Sequence, residues 1–131
     1  ILKNIPAGVK VVNGMNPSTK FKAQKNSVEI ENTKKAHIRD GVAVTKFMYW
    51  LKNNIGKIEI TELSAADKIT ELRREQGKFI EESFGTIAGY ASNGAIIHYS
   101  VTKESNITLK DRGLFLLDSG GQYFDGTTDI I

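Results

Sequence analysis

The sequence predicts an α+β fold, two helices laid on an antiparallel sheet, and three observations carry that expectation. Two segments with helix start signals and apolar residues at three- and four-residue spacings come first. After Gly77 the pattern changes to short runs rich in β-branched and aromatic residues. Within those runs, Asn93-Gly94 and Asp125-Gly126 are dipeptides suited to tight hairpin turns. The 131 residues, 40% hydrophobic and 25% charged, suffice for one domain with a sizeable core.

From Ile1 to Asn26, Pro6, Gly8, Gly14 and Asn16-Pro17 interrupt short apolar pieces such as Val9 to Val12, which predicts a strand and a linker. Asn26 then offers a cap with Glu29 three residues on, opening a helix that runs to about Asn53. Val44, Phe47, Met48, Leu51 and Ile55 form its apolar stripe, with Tyr49 and Trp50 flanking it as part of the core. A second helix opens near Thr61, with Ser64 and Asp67 at a cap-like spacing, and ends at Gly77. It is expected to turn Leu63, Ala66, Ile69 and Leu72 inward and Arg73, Arg74 and Glu75 to water. Phe79-Ile80, Phe84 to Tyr90, Ala95 to Tyr99 and Leu114 to Leu117 read as strands, paired in two antiparallel hairpins.

The net charge is +3, but Lys34, Lys35 and Arg39 interleave with Glu29, Glu31 and Asp40, and the aromatics are scattered. That argues against a nucleic-acid partner, which needs a basic groove or stripe. No apolar run approaches the roughly 20 residues that cross a bilayer, and the opening residues lack the order of a signal peptide, so no membrane role and a cytoplasmic location are expected. No Ser/His/Asp order, phosphate-binding loop or dinucleotide fingerprint is present.

The segment from Asp118 to Asp129 sets three carboxylates, with Asp125, around a tight turn after an apolar strand. Hard divalent cations take such oxygens, and without cysteine a metal site here must use oxygen and imidazole. Asp118 and Asp129 are 11 positions apart, an odd separation that puts both on one face of a hairpin with an even-numbered loop. A turn at Asp125-Gly126 nevertheless pairs Asp129 with Gln122 and leaves Asp118 four residues further along. A β-bulge at Gly120-Gly121 is one way to shift it. Spacing alone favours a plainer reading, in which Asp118 ends a strand and Asp125 and Asp129 stabilise turns.

His98, near the end of the strand expected over Ala95 to Tyr99, carries an imidazole able to exchange a proton near neutral pH. A packed or half-exposed strand histidine is the commoner case. His37, beside Arg39 and Asp40, reads as a structural or surface residue.

Asn93-Gly94-Ala95-Ile96-Ile97-His98-Tyr99 followed by Asp118-Ser119-Gly120-Gly121-Gln122-Tyr123-Phe124-Asp125-Gly126-Thr127-Thr128-Asp129 closely resembles the aminopeptidase P (Xaa-Pro aminopeptidase) family, particularly its larger, cytosolic form. The likeness extends back through Thr61 to Lys68, Ala36-His37-Ile38-Arg39-Asp40 and Lys22-Ala23-Gln24-Lys25-Asn26. It implies the pita-bread fold shared with methionine aminopeptidase, prolidase and creatinase, two similar halves facing each other. Residues 23–131 would be the N-terminal half of that catalytic domain, and residues 1–22 the end of a preceding non-catalytic domain with its linker.

In the resembled enzymes two Asp, one His and two Glu hold two divalent ions, usually Mn²⁺. The match gives Asp118 and Asp129 to that site, Asp129 bridging the ions, with the His and both Glu expected beyond Ile131. His98 matches a family histidine near the scissile bond that orients substrate or moves protons and binds no metal. Asp125 matches no ligand. The substrate implied is a peptide with proline second, from which the N-terminal residue is removed.

A chain that starts without Met and finishes on Asp129-Ile130-Ile131, with no turn or polar tail, reads as a cut piece of a longer protein. Such a piece is expected to be inactive alone and to self-associate, as a homodimer for instance, through the surface facing the missing half. The alternative is a non-catalytic pita-bread protein kept as a binding or interaction module. Such relatives lose metal ligands, so the joint presence of Asp118, Asp129 and His98 favours the peptidase.

Overall fold

The computed structural model describes residues 2–131; Ile1, where the irregular opening segment was expected to start, lies outside them. After a 3-10 turn at Leu2–Asn4 come three helices, α1 (Pro17–Ala23), α2 (Ser27–Asn54) and α3 (Glu62–Arg74). Five short strands follow: β1 (Phe79–Glu82), β2 (Ile87–Tyr90), β3 (Phe115–Asp118), β4 (Gly121–Tyr123) and β5 (Gly126–Thr127). The α+β order matches expectation, but Val9 to Val12 form no strand, since these valines lie exposed without a partner. Instead Asn16-Pro17 opens α1, with the Asn16 side chain accepting from Ser18 N.

Both long helices start on reciprocal caps. Asn26 Oδ1 accepts from Glu29 N at 2.9 Å while Glu29 Oε2 accepts from Asn26 N at 2.8 Å. In α3 the pair is Thr61 and Ser64, three residues earlier than the expected Ser64 and Asp67. Phe47 of α2 is buried with Ile69 and Leu72 of α3, Tyr90 and Leu109, and Val44, Trp50, Leu51, Ile55, Phe115 and Leu117 pack around them. Met48 and Tyr49, expected in or beside this core, face outward.

Two corrections apply to α3. It buries Ala65 where Ala66 was expected, and Arg73, expected in water, is 0% exposed. The cause is a second stripe on α2, Ala36, Asp40 and Ala43 at helical spacing, whose Asp40 supplies the counter-charge that makes Arg73 tolerable inside.

The strands pair in a nested order, not as two consecutive hairpins. β2 pairs antiparallel with β3, from Ile87↔Asp118 to Tyr90↔Phe115, while β1 pairs with β4 and β5 returns along β4. No hairpin forms at Asn93-Gly94, and Ala95 to Tyr99 is not a strand, because Ala91–Ala95 is a 3-10 turn folded directly onto β2. A Cβ on Gly89 would lie 2.8 Å from Gly94 Cα, so only glycine admits this approach. The hairpin β4–β5 does form, turning at Phe124-Asp125, since Tyr123 pairs with Gly126. α3 lies against β1 and β2, and α2 against β5.

Candidate active site

Asp118 closes β3, and beyond it Ser119 pairs with Ile130 while Gln122 pairs with Thr127. These pairs share one register, which sets Asp129 opposite Gly120. Because alternate residues share a strand face, Asp118 and Asp129 become diagonal neighbours on one face. The register difficulty disappears because the turn falls one residue earlier than Asp125-Gly126, and no bulge at Gly120-Gly121 is needed. The irregularity that does occur lies in β1, between Phe79 and Glu81.

Gly120 makes this junction possible. A Cβ there would lie 2.1 Å from Thr128 O and 2.3 Å from Ser83 Oγ. Through that space Ser83 ties both strands together, its Oγ donating to Thr128 O at 2.8 Å and its N donating to Gly120 O at 3.1 Å.

Asp118 Oδ1 is buried and has no hydrogen-bond partner. Burial, and after it the nearby Asp129 charge, hold the Asp118 carboxyl above its usual range, with His98 acting in the opposite direction. His98 therefore stands within electrostatic reach of Asp118, but not on a strand. It is exposed, in a turn with φ of 55°, a left-handed backbone that histidine tolerates better than most residues. His37 is exposed on α2, its Nδ1 2.9 Å from Thr33 O.

Behind the carboxylates lies a buried polar cluster that the sequence reading missed. Asp40 and Arg73, each 0% exposed, pair through Arg73 Nε to Asp40 Oδ1 at 2.6 Å. Asp40 Oδ2 accepts from Thr128 Oγ1 at 2.5 Å, Asp40 Oδ1 from Tyr123 OH at 3.1 Å, and Arg73 Nη2 donates to Ser119 Oγ at 3.0 Å. Ser119 and Thr128 are the immediate neighbours of Asp118 and Asp129. With alternating side chains, their grip on the inner face sets both acids on the opposite face of the strands. The Ala36, Asp40, Ala43 spacing was the available signal: a carboxylate on an otherwise small, apolar stripe.

Asp125 joins neither group. Lys78 Nζ donates to its Oδ2 at 2.9 Å and Arg39 pairs with Oδ1, which holds its carboxyl below the usual range and staples the turn to α2. Gly126 lies directly on that helix, where a Cβ would meet Ala36 Cβ at 3.0 Å.

Two adjacent carboxylates, one with an unpaired buried oxygen, fit a hard divalent cation, which would give that oxygen a partner and offset the repulsion between the acids. Among the described residues no group of three or more His, Cys, Asp or Glu side chains is arranged to hold an ion.

The sequence profile of metallopeptidase family M24 matches residues 31–131. The chain belongs to metallopeptidase family M24. Among individual proteins, this M24 chain is 44% identical over 115 residues to the Xaa-Pro aminopeptidase ApepP of Drosophila melanogaster, covering 87% of the chain and 19% of that protein. It is 42% identical over 130 residues to the human Xaa-Pro aminopeptidase 2, covering 99% of the chain and 19% of that protein. A probable Xaa-Pro aminopeptidase P of Trichophyton verrucosum is 43% identical over 121 residues, 91% of the chain and 17% of that protein. The chain thus spans about a fifth of the length of these relatives.

Among solved structures, the X-prolyl aminopeptidase of Caenorhabditis elegans, a cytosolic enzyme with a di-nuclear active site, superposes with a TM-score of 0.82 at 36% identity. The match covers 87% of this M24 chain and 19% of that one, and it bears out the pita-bread fold class. No helix among the described residues is long and apolar enough to cross a membrane.

Proposed function

We propose that this M24 chain is part of a metal-dependent Xaa-Pro aminopeptidase, which removes the N-terminal residue standing before proline in a peptide. The observation that carries the proposal is the juxtaposition of Asp118 and Asp129 on one strand face, with a buried unpaired oxygen and His98 within electrostatic reach. Relatives at 42–44% identity that are Xaa-Pro aminopeptidases support the substrate class.

Asp118 and Asp129 would each ligate, with the exposed Asp129 reaching both of two ions, and the all-oxygen character of the pair suits Mn²⁺. Two divalent ions bound there would supply Lewis-acid polarisation of the scissile carbonyl and a water activated near neutral pH. His98 binds no metal; its imidazole orients the peptide or moves a proton at the cleaved bond. The remaining ligands come from outside residues 1–131, so the chain by itself is inactive. In this assignment residues 23–131 form the N-terminal half of the catalytic domain and residues 1–22 end a preceding domain, in a cytoplasmic protein like its C. elegans neighbour.

A non-catalytic binding module, the other reading, has no need of a carboxylate pair whose mutual repulsion a divalent cation would offset. The isolated chain is expected to self-associate, since the groove between α2 and β3, lined by Val44, Met48, Leu51, Phe115 and Ile130, is apolar and Ile131 beside it is 85% exposed. Sedimentation of the chain checks this, and a strict monomer at high concentration counts against it. The activity itself is tested with the full-length protein: metal removal should abolish cleavage of an Xaa-Pro peptide and Mn²⁺ should restore it. Normal cleavage by verified metal-free protein would sink the assignment.

A further inference from the structure

We propose that Glu62 is a positioning residue for His98: one buried carboxylate that fixes the Asn93–Tyr99 loop, and so presents the imidazole to the Asp118–Asp129 face. The proposal rests on the role given to His98 above.

Glu62 opens α3 and is 0% exposed, and it forms no ion pair among the described residues. Neutral donors satisfy its charge. Oε1 accepts from Tyr90 N at 2.7 Å and from Asn93 Nδ2 at 3.2 Å. Oε2 accepts from Tyr99 OH at 2.8 Å, Asn93 Nδ2 at 3.1 Å and Ile107 N at 3.4 Å. The Tyr99 hydroxyl has a single proton, which it gives to the carboxylate, so toward Asn93 Nδ2 at 2.9 Å it is the acceptor. Burial, with the Glu62 charge adding to it, keeps that hydroxyl protonated. Ser105 closes the ring, its Oγ 3.0 Å from Tyr99 OH and its carbonyl accepting from Asn93 Nδ2 at 3.2 Å.

These partners bracket His98. Asn93 lies on one side of it in the chain and Tyr99 adjoins it on the other, and the backbone is left-handed at Ala91, two residues before Asn93, with φ 51°, and at His98 itself. Such backbone persists only where its surroundings over-determine it. A buried carboxylate is a costly way to fill space, which an apolar side chain of similar volume does with less loss of solvation. What the charge does here, and an apolar residue cannot, is gather the donors on both flanks of His98 and the strand end at Tyr90 onto one point.

The test uses the full-length enzyme with Glu62→Gln and Tyr99→Phe, each alone and combined with His98→Ala. Metal content, thermal unfolding, hydrogen exchange over residues 90–107, and kcat and KM on an Xaa-Pro peptide are measured. Both substitutions should speed exchange in that segment while metal content is retained. With His98 present kcat should fall roughly tenfold or more, since small misplacements of a reacting group are that costly. On a His98→Ala background the same substitutions should cost less than about twofold, because they act through His98.

Unchanged exchange over residues 90–107, or an equal fold-loss in both backgrounds, would overturn the proposal. Should Glu62→Gln fail to fold, Tyr99→Phe removes one donor only and carries the same comparison. If the wild-type enzyme cleaves no Xaa-Pro peptide, the functional reading fails, while the exchange measurement still decides whether Glu62 holds the loop.

Discussion

Asp118 and Asp129 are poorly placed for a protein without a cation: two acids on one face, one with an oxygen that is buried and unpaired. In the full-length enzyme Asp129→Asn should lower metal occupancy and turnover together, as read by elemental analysis and peptide cleavage. His98→Ala should instead spare metal content and lower turnover about a hundredfold or more, the usual contribution of a positioned acid or base. Loss of both ions in that variant would make His98 a ligand. Gly120 is as constrained as the acids it separates, because any Cβ collides with the Thr128 carbonyl and Ser83. Gly120→Ala should cost about 1–3 kcal/mol by chemical denaturation, typical of overpacking, and should weaken metal binding by spreading the two strands.

Among the elements, α2 and α3 hold the strands of the site through the Asp40–Arg73 pair, which reaches Ser119 and Thr128 next to the two acids. Removing one partner leaves the other charged and uncompensated, so Asp40→Ala should destabilise by about 3–5 kcal/mol. Replacing both, Asp40→Leu with Arg73→Met, should lose less than either single change, and a denaturation cycle over the four proteins measures it. An additive result would mean that the two side chains are independent. This cluster was hard to read in sequence because Arg73 sits among Arg74 and Glu75, where a solvated run is the ordinary expectation. Only the facing Asp40, 33 residues away, makes its burial tolerable.

For the whole molecule, the Asp125 staple joins the β4–β5 turn to the first long helix through Arg39 and to the start of β1 through Lys78. Its carboxyl is depressed by the Lys78 hydrogen bond and the Arg39 charge, so the stabilisation is complete above the unfolded carboxylate range and is lost as pH falls through the folded value. Asp125→Asn should therefore lower the melting temperature near neutrality, with the gap to wild type closing as pH falls through the depressed folded value and the wild-type carboxyl takes up its proton. A gap of constant size across that range would mean that the turn needs the side chain's shape and not its charge.

The sequence by itself determined the α+β class, the capping box at Asn26 and Glu29, and much of the apolar core, but not the register that brings Asp118 and Asp129 together. Each rests on local periodicity, which a chain displays before it folds. Tertiary structure decided the rest. Asn93-Gly94 carries the local chemistry of a hairpin, yet Glu62, 31 positions away, draws the Asn93 amide inward and β2 takes β3 as its partner instead. The turn at Phe124-Asp125 is likewise set by Arg39 and by Gly126 lying on Ala36, a contact between residues 90 positions apart. Local propensities of a few tenths to about one kcal/mol give way when a buried charge must find its donors, because an unsatisfied one costs several times more.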